Sequence, residues 1–328
     1  MSKQPLTTRT EILFIYDTTD ANPNGDPNDE NRPRMDLEAG RAKVSDVRLK
    51  RTIRDYLHDY CGEEIFVREI EKDDGTIQEG KDRAEDFAKG KTAENVLKKR
   101  DLIQNQAIDK CIDVRLFGAT IPVSMVVDKK EKKSSVTLTG PVQFAMGTSL
   151  HRVEMRFIKG TGAFASGQGK EQKTFREEYV LPYALIGFYG IVNQQAAKTT
   201  KLTVPDTEKL FEAIWYGTKN LITRSKFGQR PLLLLLLEYS TDNANSYIGR
   251  LDRFLDLKKE KDEIRDEELR DVAQVSLDLT RLNSAVSERK LKISKIRLAW
   301  DSRLKLSPEP ATSGGKFLGI PVEKLEYA

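Results

Sequence analysis

The chain has 328 residues, with 55 Lys and Arg against 51 Asp and Glu, a net charge of +4 and 38% hydrophobic residues. It is long enough for two ordinary domains or one enlarged one and too apolar for wholesale disorder, and it is too nearly neutral for bulk charge to announce a nucleic-acid binder. Two cysteines (Cys61, Cys111) exclude a disulfide scaffold, and residues 1–10 carry no apolar signal core. The longest apolar run, 232–237, is far short of the roughly 20 residues that span a bilayer. A cytoplasmic chain without membrane contact is expected.

Residues 11–16, Glu-Ile-Leu-Phe-Ile-Tyr, predict a buried strand. It runs into a polar stretch, 17–43, whose Asn, Asp, Pro and Gly predict a long loop. Ser45 is a predicted N-cap for a helix to about Tyr60, with Leu49, Ile53, Tyr56, Leu57 and Tyr60 on one face and Lys50, Arg51 and Arg54 opposite. Residues 63–100 are charged and read as an insertion with a turn and a short helix, and 101–111 as a helix. Strands follow at 121–127, 136–144 and 152–158. The Gly-rich stretch 160–173 reads as a projecting loop, and 179–192 as a second apolar stretch.

Pro205 opens a helix to about Ile222 with Leu210, Ile214 and Leu221 inward, and six consecutive leucines make 231–239 a central strand buried on both faces. Mixed charge predicts a solvated helical face at 252–271. The apolar phase of 290–300 slips between Ile293 and Ile296, which predicts a bulge. Strands and helices interrupted by long insertions indicate α+β architecture with a mostly antiparallel sheet.

Catalytic patterns mostly fail. There is no nucleophile elbow, no His pair at metal spacing and no Cys-x-x-Cys, and Gly314-Gly-Lys316 is followed by Phe317 rather than Ser or Thr. His58 reads as structural, and His151 as a packed residue with some claim to a ligand contact. Asp20-Ala-Asn22-Pro-Asn24-Gly25 resembles the start of a calcium loop, but Asn31 stands where a bidentate Glu belongs and prolines resist the wrap. No metal and no cofactor are expected.

Basic residues are more informative. Arg48, Lys50, Arg51 and Arg54 cluster on the first helix. Arg224, Lys226 and Arg230 lie among Ser225, Phe227 and Gln229, and a third group runs from Lys170 to Arg176. Cations beside hydroxyl, amide and Gly donors suit phosphate and sugar contacts, and exposed Phe suits stacking.

The order of features resembles a known family. Asp20-Ala-Asn-Pro-Asn-Gly-Asp-Pro27 is followed by Arg32-Pro-Arg34, Asp36 and Ser45-Asp-Val-Arg-Leu-Lys-Arg-Thr-Ile-Arg-Asp-Tyr56. Asp113-Val-Arg-Leu-Phe-Gly118, Thr139-Gly-Pro-Val-Gln-Phe144, Tyr179-Val-Leu-Pro-Tyr183 and Thr223-Arg-Ser-Lys226 come later. Over about residues 10–300 this looks like the Cas7 backbone subunit of type I CRISPR Cascade, closest to its type I-B branch. The resemblance implies one hand-shaped domain: a modified RNA-recognition-motif (ferredoxin-like) palm, a finger-like insertion at 63–100 and a thumb hairpin at 152–178.

It further implies a non-catalytic subunit that polymerises along guide crRNA beside other Cascade subunits and displays guide bases for pairing with target DNA. The implied RNA contacts are Asn22, Asn24, Arg48, Lys50, Arg51, Arg115, Lys173, Arg176, Arg224, Lys226 and Gln229, with Phe164 or Phe175 as the wedge that kinks the guide. Two rival readings are a ribonuclease subunit using the loop acid Asp36, or Asp26, and a lone RNA-binding module.

Overall fold

The computed structural model describes residues 6–165, 173–243, 245–310 and 315–327, and leaves the side chains of 161–165, 173–176, 243 and 291 undescribed. Chain contacts divide it into two compact units: one of 1–9, 53–143 and 191–213, the other of 10–52, 144–190 and 214–328.

The larger unit is built on a mixed sheet. Arg230–Tyr239 lies at its centre, with Thr10–Ala21 antiparallel on one side and Ile293–Trp300 antiparallel on the other. Leu232, Leu233, Leu234, Leu235, Leu236 and Leu237 are all fully buried, which is why this strand needs no polar face. Beyond Thr10–Ala21 the order continues through Lys173–Val192, Gly147–Ser149, Arg41–Val44 and Met35–Asp36. Ile320–Lys324 adds a parallel strand beside Ile293–Trp300. The predicted bulge is present: Tyr239 faces Ile293 while Glu238 faces Lys295, so Ser294 is the extra residue and Ile293 and Ile296 are both buried.

One buried charge stands out in this unit. Glu11 is fully buried on the first strand and accepts from the Tyr189 hydroxyl at 2.8 Å, the Tyr239 hydroxyl, and the amides of Ile248 and Gly249 at 2.8 and 2.6 Å. Burial first, and the Glu11 charge second, push both tyrosine hydroxyls far above their ordinary pKa.

The smaller unit packs Gly80–Asp86 and Val96–Lys110 against a long hairpin, Gly118–Val127 with Lys130–Thr139, around Phe66, Phe87, Ile103, Ile108, Ile121, Val123 and Val136. Asn95 caps the second helix by accepting from the amides of Leu97 and Lys98, each at 3.0 Å.

Several sequence expectations are corrected. The 17–43 stretch is not one loop but two short ribbons, Gly25–Asp26 with Arg32–Pro33 and Met35–Asp36 with Arg41–Ala42. The 252–271 run forms 3-10 turns and the strand Asp256–Lys259 rather than a helix, because ion pairs such as Arg250–Asp252 and Lys259–Asp266 fasten it locally. The helix expected at 205–222 is Val204–Lys219, so Leu221 lies beyond its end, and the helix expected from 101 begins at Val96. The 152–158 strand is Arg156–Ala165, and the Gly-rich stretch begins inside its hairpin with Lys173–Val192. The short helices Ile112–Phe117, Gln194–Thr200 and Thr280–Glu288 had no clear signal in the sequence.

Candidate nucleic-acid interface

In the larger unit, three stretches separated in sequence are fastened together by backbone and amide groups. The helix Asp46–Asp59 starts at Ser45, whose Oγ accepts from the Arg48 amide at 3.2 Å. The Ser45 amide donates to Asn24 Oδ1 at 2.7 Å, so Asn24 fixes the direction in which the helix sets out. Asn22 is buried; its amide donates to the Ser225 carbonyl at 2.8 Å and its Nδ2 to the Asn31 carbonyl at 2.6 Å. Both asparagines therefore shape backbone, and one of them holds the 223–230 segment against the Asn-Pro-Asn turn.

Arg48 and Gln229 line one small cavity with Tyr16, Thr52 and Phe188, and Arg48 Nη2 donates to Thr52 Oγ1 at 3.0 Å. Lys226 is half-buried with its Nζ 3.1 Å from Ser225 Oγ. Burial, and then the positive charge of Arg48, hold the Lys226 ammonium below the ordinary lysine pKa. Gln229 is buried, and its Nε2 meets no acceptor among the described residues. Arg224 is exposed, 3.8 Å from Glu178, and Phe227 beside it is 66% exposed. Arg51 is exposed on the first helix, and Lys50 pairs with Asp46 at 3.0 Å.

Other expected residues lie elsewhere. Arg115, in the smaller unit, forms a two-pronged pair with Asp206 at 3.0 and 2.8 Å and donates to the carbonyls of Ile108 and Asp109, so its guanidinium is taken up within the chain. Arg54, read from the sequence as solvent-facing, is 12% exposed and pairs at 2.9 Å with the fully buried Asp113. The backbones of Phe164, Lys173, Phe175 and Arg176 belong to the hairpin, but their side chains lie outside the described residues. His151 is buried, with Nδ1 against the carbonyls of Arg152 and Asp266 and Nε2 accepting from the Leu185 amide, so it is a packing residue. Asp36 accepts from the Ala39 amide at 3.1 Å and sits 3.7 Å from Lys43, while Asp26 pairs with Arg34. Both loop acids thus hold turns. No group of three or more His, Cys, Asp or Glu among the described residues could hold a metal ion.

Sequence reasoning missed Arg32. Its guanidinium lies 4.5 Å over the Tyr179 ring and donates to Glu30 at 2.7 Å, which joins the Asn/Pro stretch to the base of the Arg156–Ala165 and Lys173–Val192 hairpin. The Arg-Pro-Arg pattern was visible, but Tyr179 lies 147 positions away and gave no local signal.

A family profile described as CRISPR-associated protein Cas7 matches residues 8–280. A curated relative from Haloferax volcanii, CRISPR-associated protein Cas7, is 33% identical over 311 residues, covering 91% of this chain and 88% of its own. The chain belongs to the Cas7 family. A solved chain of a CRISPR RNA-guided surveillance complex has the same fold, with a TM-score of 0.51 at 13% identity over 97% of this chain and 95% of that one. The Asn-Pro-Asn turn, the first helix and the 223–230 segment all fall inside the Cas7 match. No helix among the described residues is long and apolar enough to cross a membrane.

Proposed function

We propose that this Cas7 chain is the guide-RNA-binding backbone subunit of a type I CRISPR surveillance complex, of the type I-B branch. It polymerises along crRNA through phosphate contacts that ignore base identity and displays the guide bases for pairing with target DNA. Its partners are crRNA, further copies of itself, other subunits of the complex and, through the guide, target DNA. The chain acts in the cytoplasm and cuts neither strand. In this reading the larger unit is an RNA-recognition-motif-like palm, 63–100 a finger-like insertion and 152–178 a thumb.

The observation that carries the reading is the small cavity lined by Arg48 and by Gln229, which lies three positions from Lys226 in the 223–230 segment. Burial first, and the charge of Arg48 second, make the Lys226 ammonium costly to keep. A phosphate oxygen seated beside Lys226 would relieve that cost, which suits this place to an anion. Around it, Asn22, Asn24 and Gln229 offer backbone order and an amide donor, the exposed Arg51 and Arg224 extend the charge outward, and Lys50 joins them if RNA draws it from Asp46. Lys173 and Arg176 would hold phosphate on the thumb, with Phe164 or Phe175 as wedge. Arg115 enters this reading as a support, since Asp206 already neutralises it.

The test is the nucleic acid that copurifies with the full chain and its complex. RNA of defined length, with a constant terminal sequence and a variable interior, is expected. Bound DNA, RNA of random length, or cleavage of added target RNA that Asp36→Asn abolishes would overturn the reading.

A further inference from the structure

The hairpin of the smaller unit pairs over ten residue couples, from Gly118 with Thr139 to Val127 with Lys130. Only its inner half is in the core: Ile121, Val123, Val136 and Leu138 are buried, while Val126 is 70% exposed and everything from Asp128 to Lys133 is exposed. The turn puts Asp128 and Lys129 at φ of 50° and 63°, a tight reversal that closes the ribbon at its far end. An unburied half-ribbon gains nothing from hydrophobic packing, so its sequence is free to serve another purpose.

That sequence is Asp-Lys-Lys-Glu-Lys-Lys, 128–133. Glu131 takes up Lys133 at 3.3 Å and Lys81 at 3.5 Å. Lys129, Lys130 and Lys132 form no ion pair among the described residues. Lys130 and Lys132 sit two apart on one strand, on the same side of the ribbon as their partners Val127 and Met125. Strand rise places them about 7 Å apart, near the separation of neighbouring phosphates along a strand.

The chemistry also says which nucleic acid. Residues 118–139 contain no Phe, Tyr, Trp, His or Arg, so nothing on the ribbon can stack a base or grip one bidentately. A duplex hides its base faces and offers phosphate at about one charge per 1.7 Å of axis, and a two-stranded ribbon is narrow enough for its major groove. We propose that the outer half of this hairpin is a second nucleic-acid contact, distinct from the guide site, which grips the phosphates of double-stranded DNA without reading sequence.

The test uses the full chain and a short random-sequence DNA duplex, with affinity followed by fluorescence anisotropy across a salt series. Replacing Lys129 by Asn and Lys130 and Lys132 by Ser is expected to weaken duplex binding about tenfold or more and to reduce the slope of log affinity against log salt by about 3. Binding of single-stranded RNA should stay within about twofold. Glu131→Gln, which removes a competing carboxylate without touching a lysine, should tighten duplex binding. The proposal is overturned if the unaltered chain ignores duplex, if the triple variant keeps its duplex affinity, if RNA and duplex binding fall together, or if polyglutamate is bound in preference to duplex. Should the chain fail to bind RNA while these duplex effects hold, the guide reading falls and this one stands.

Discussion

Arg48 and Arg54 stand six positions apart on one helix and have opposite surroundings. Arg54 faces Asp113, a fully buried carboxylate that also accepts from the Phe66 and Val67 amides at 2.7 and 3.1 Å. Arg48 donates to a neutral hydroxyl, Thr52 Oγ1, and its charge, after burial, helps to hold Lys226 below the ordinary lysine pKa. The first arginine is matched inside the chain and secures it. The second lines a small cavity with the buried Gln229 and donates to Thr52 Oγ1 at 3.0 Å, so it stands among neutral polar groups. The same contrast separates Arg115, locked to Asp206, from Arg224, exposed near the edge of Glu178. The partner of a cation, more than the number of cations, marks a binding surface in a chain of nearly neutral total charge.

That contrast can be broken experimentally. Asp113→Ala would leave Arg54 buried and unmatched and two amides unsatisfied, and should cost about 3–5 kcal/mol in a denaturant titration. The RNA affinity of the molecules that remain folded should be unchanged, and an equal loss of RNA binding would erase the distinction between the two arginines. Arg48→Ala with Lys226→Ala should do the reverse. RNA binding should weaken by about 2–4 kcal/mol for every sequence alike, with a salt slope lower by about 1.4 and no loss of stability.

A third experiment turns on pH. Lys226 titrates below its ordinary value of 10.5 in the free chain, so the folded state releases this proton before the unfolded state does. Stability therefore gains from this group as pH rises from the lowered value toward 10.5. RNA affinity runs the other way, falling over the same window as the ammonium is lost. Lys226→Arg should remove both trends, and an affinity that stays flat up to the ordinary lysine range would exclude Lys226 from the contact. The smallest effect is expected at Lys50, whose i,i+4 pair with Asp46 should contribute only about 0.3–0.5 kcal/mol to stability.

What the sequence disclosed and what it hid follow from distance along the chain. The Ser45 cap, the six buried leucines and the slip at Ser294 are local patterns, and each is present in the fold. The Asn-Pro-Asn turn, the first helix and the 223–230 segment were singled out by composition, and Asn22 does reach Ser225. The fate of each arginine was not legible. Asp113 lies 59 positions from Arg54 and Asp206 lies 91 from Arg115, so nothing near either arginine says that it is already occupied. The 252–271 run failed for a related reason: alternating charges suit a solvated helix and a string of ion-paired turns equally well, and only tertiary placement chooses between them.

The caged carboxylate at Glu11 has a consequence for how this corner of the molecule opens. Among the described residues its oxygens meet four hydrogen-bond donors, and those donors come from three separate parts of the chain. Pulling any one of them away leaves a buried carboxyl oxygen short of a donor, so the first strand, Tyr189, Tyr239 and residues 248–249 support one another. A glutamine there would keep the shape yet bring two protons of its own to a ring that already has four, and this corner would be expected to breathe where it is now shut.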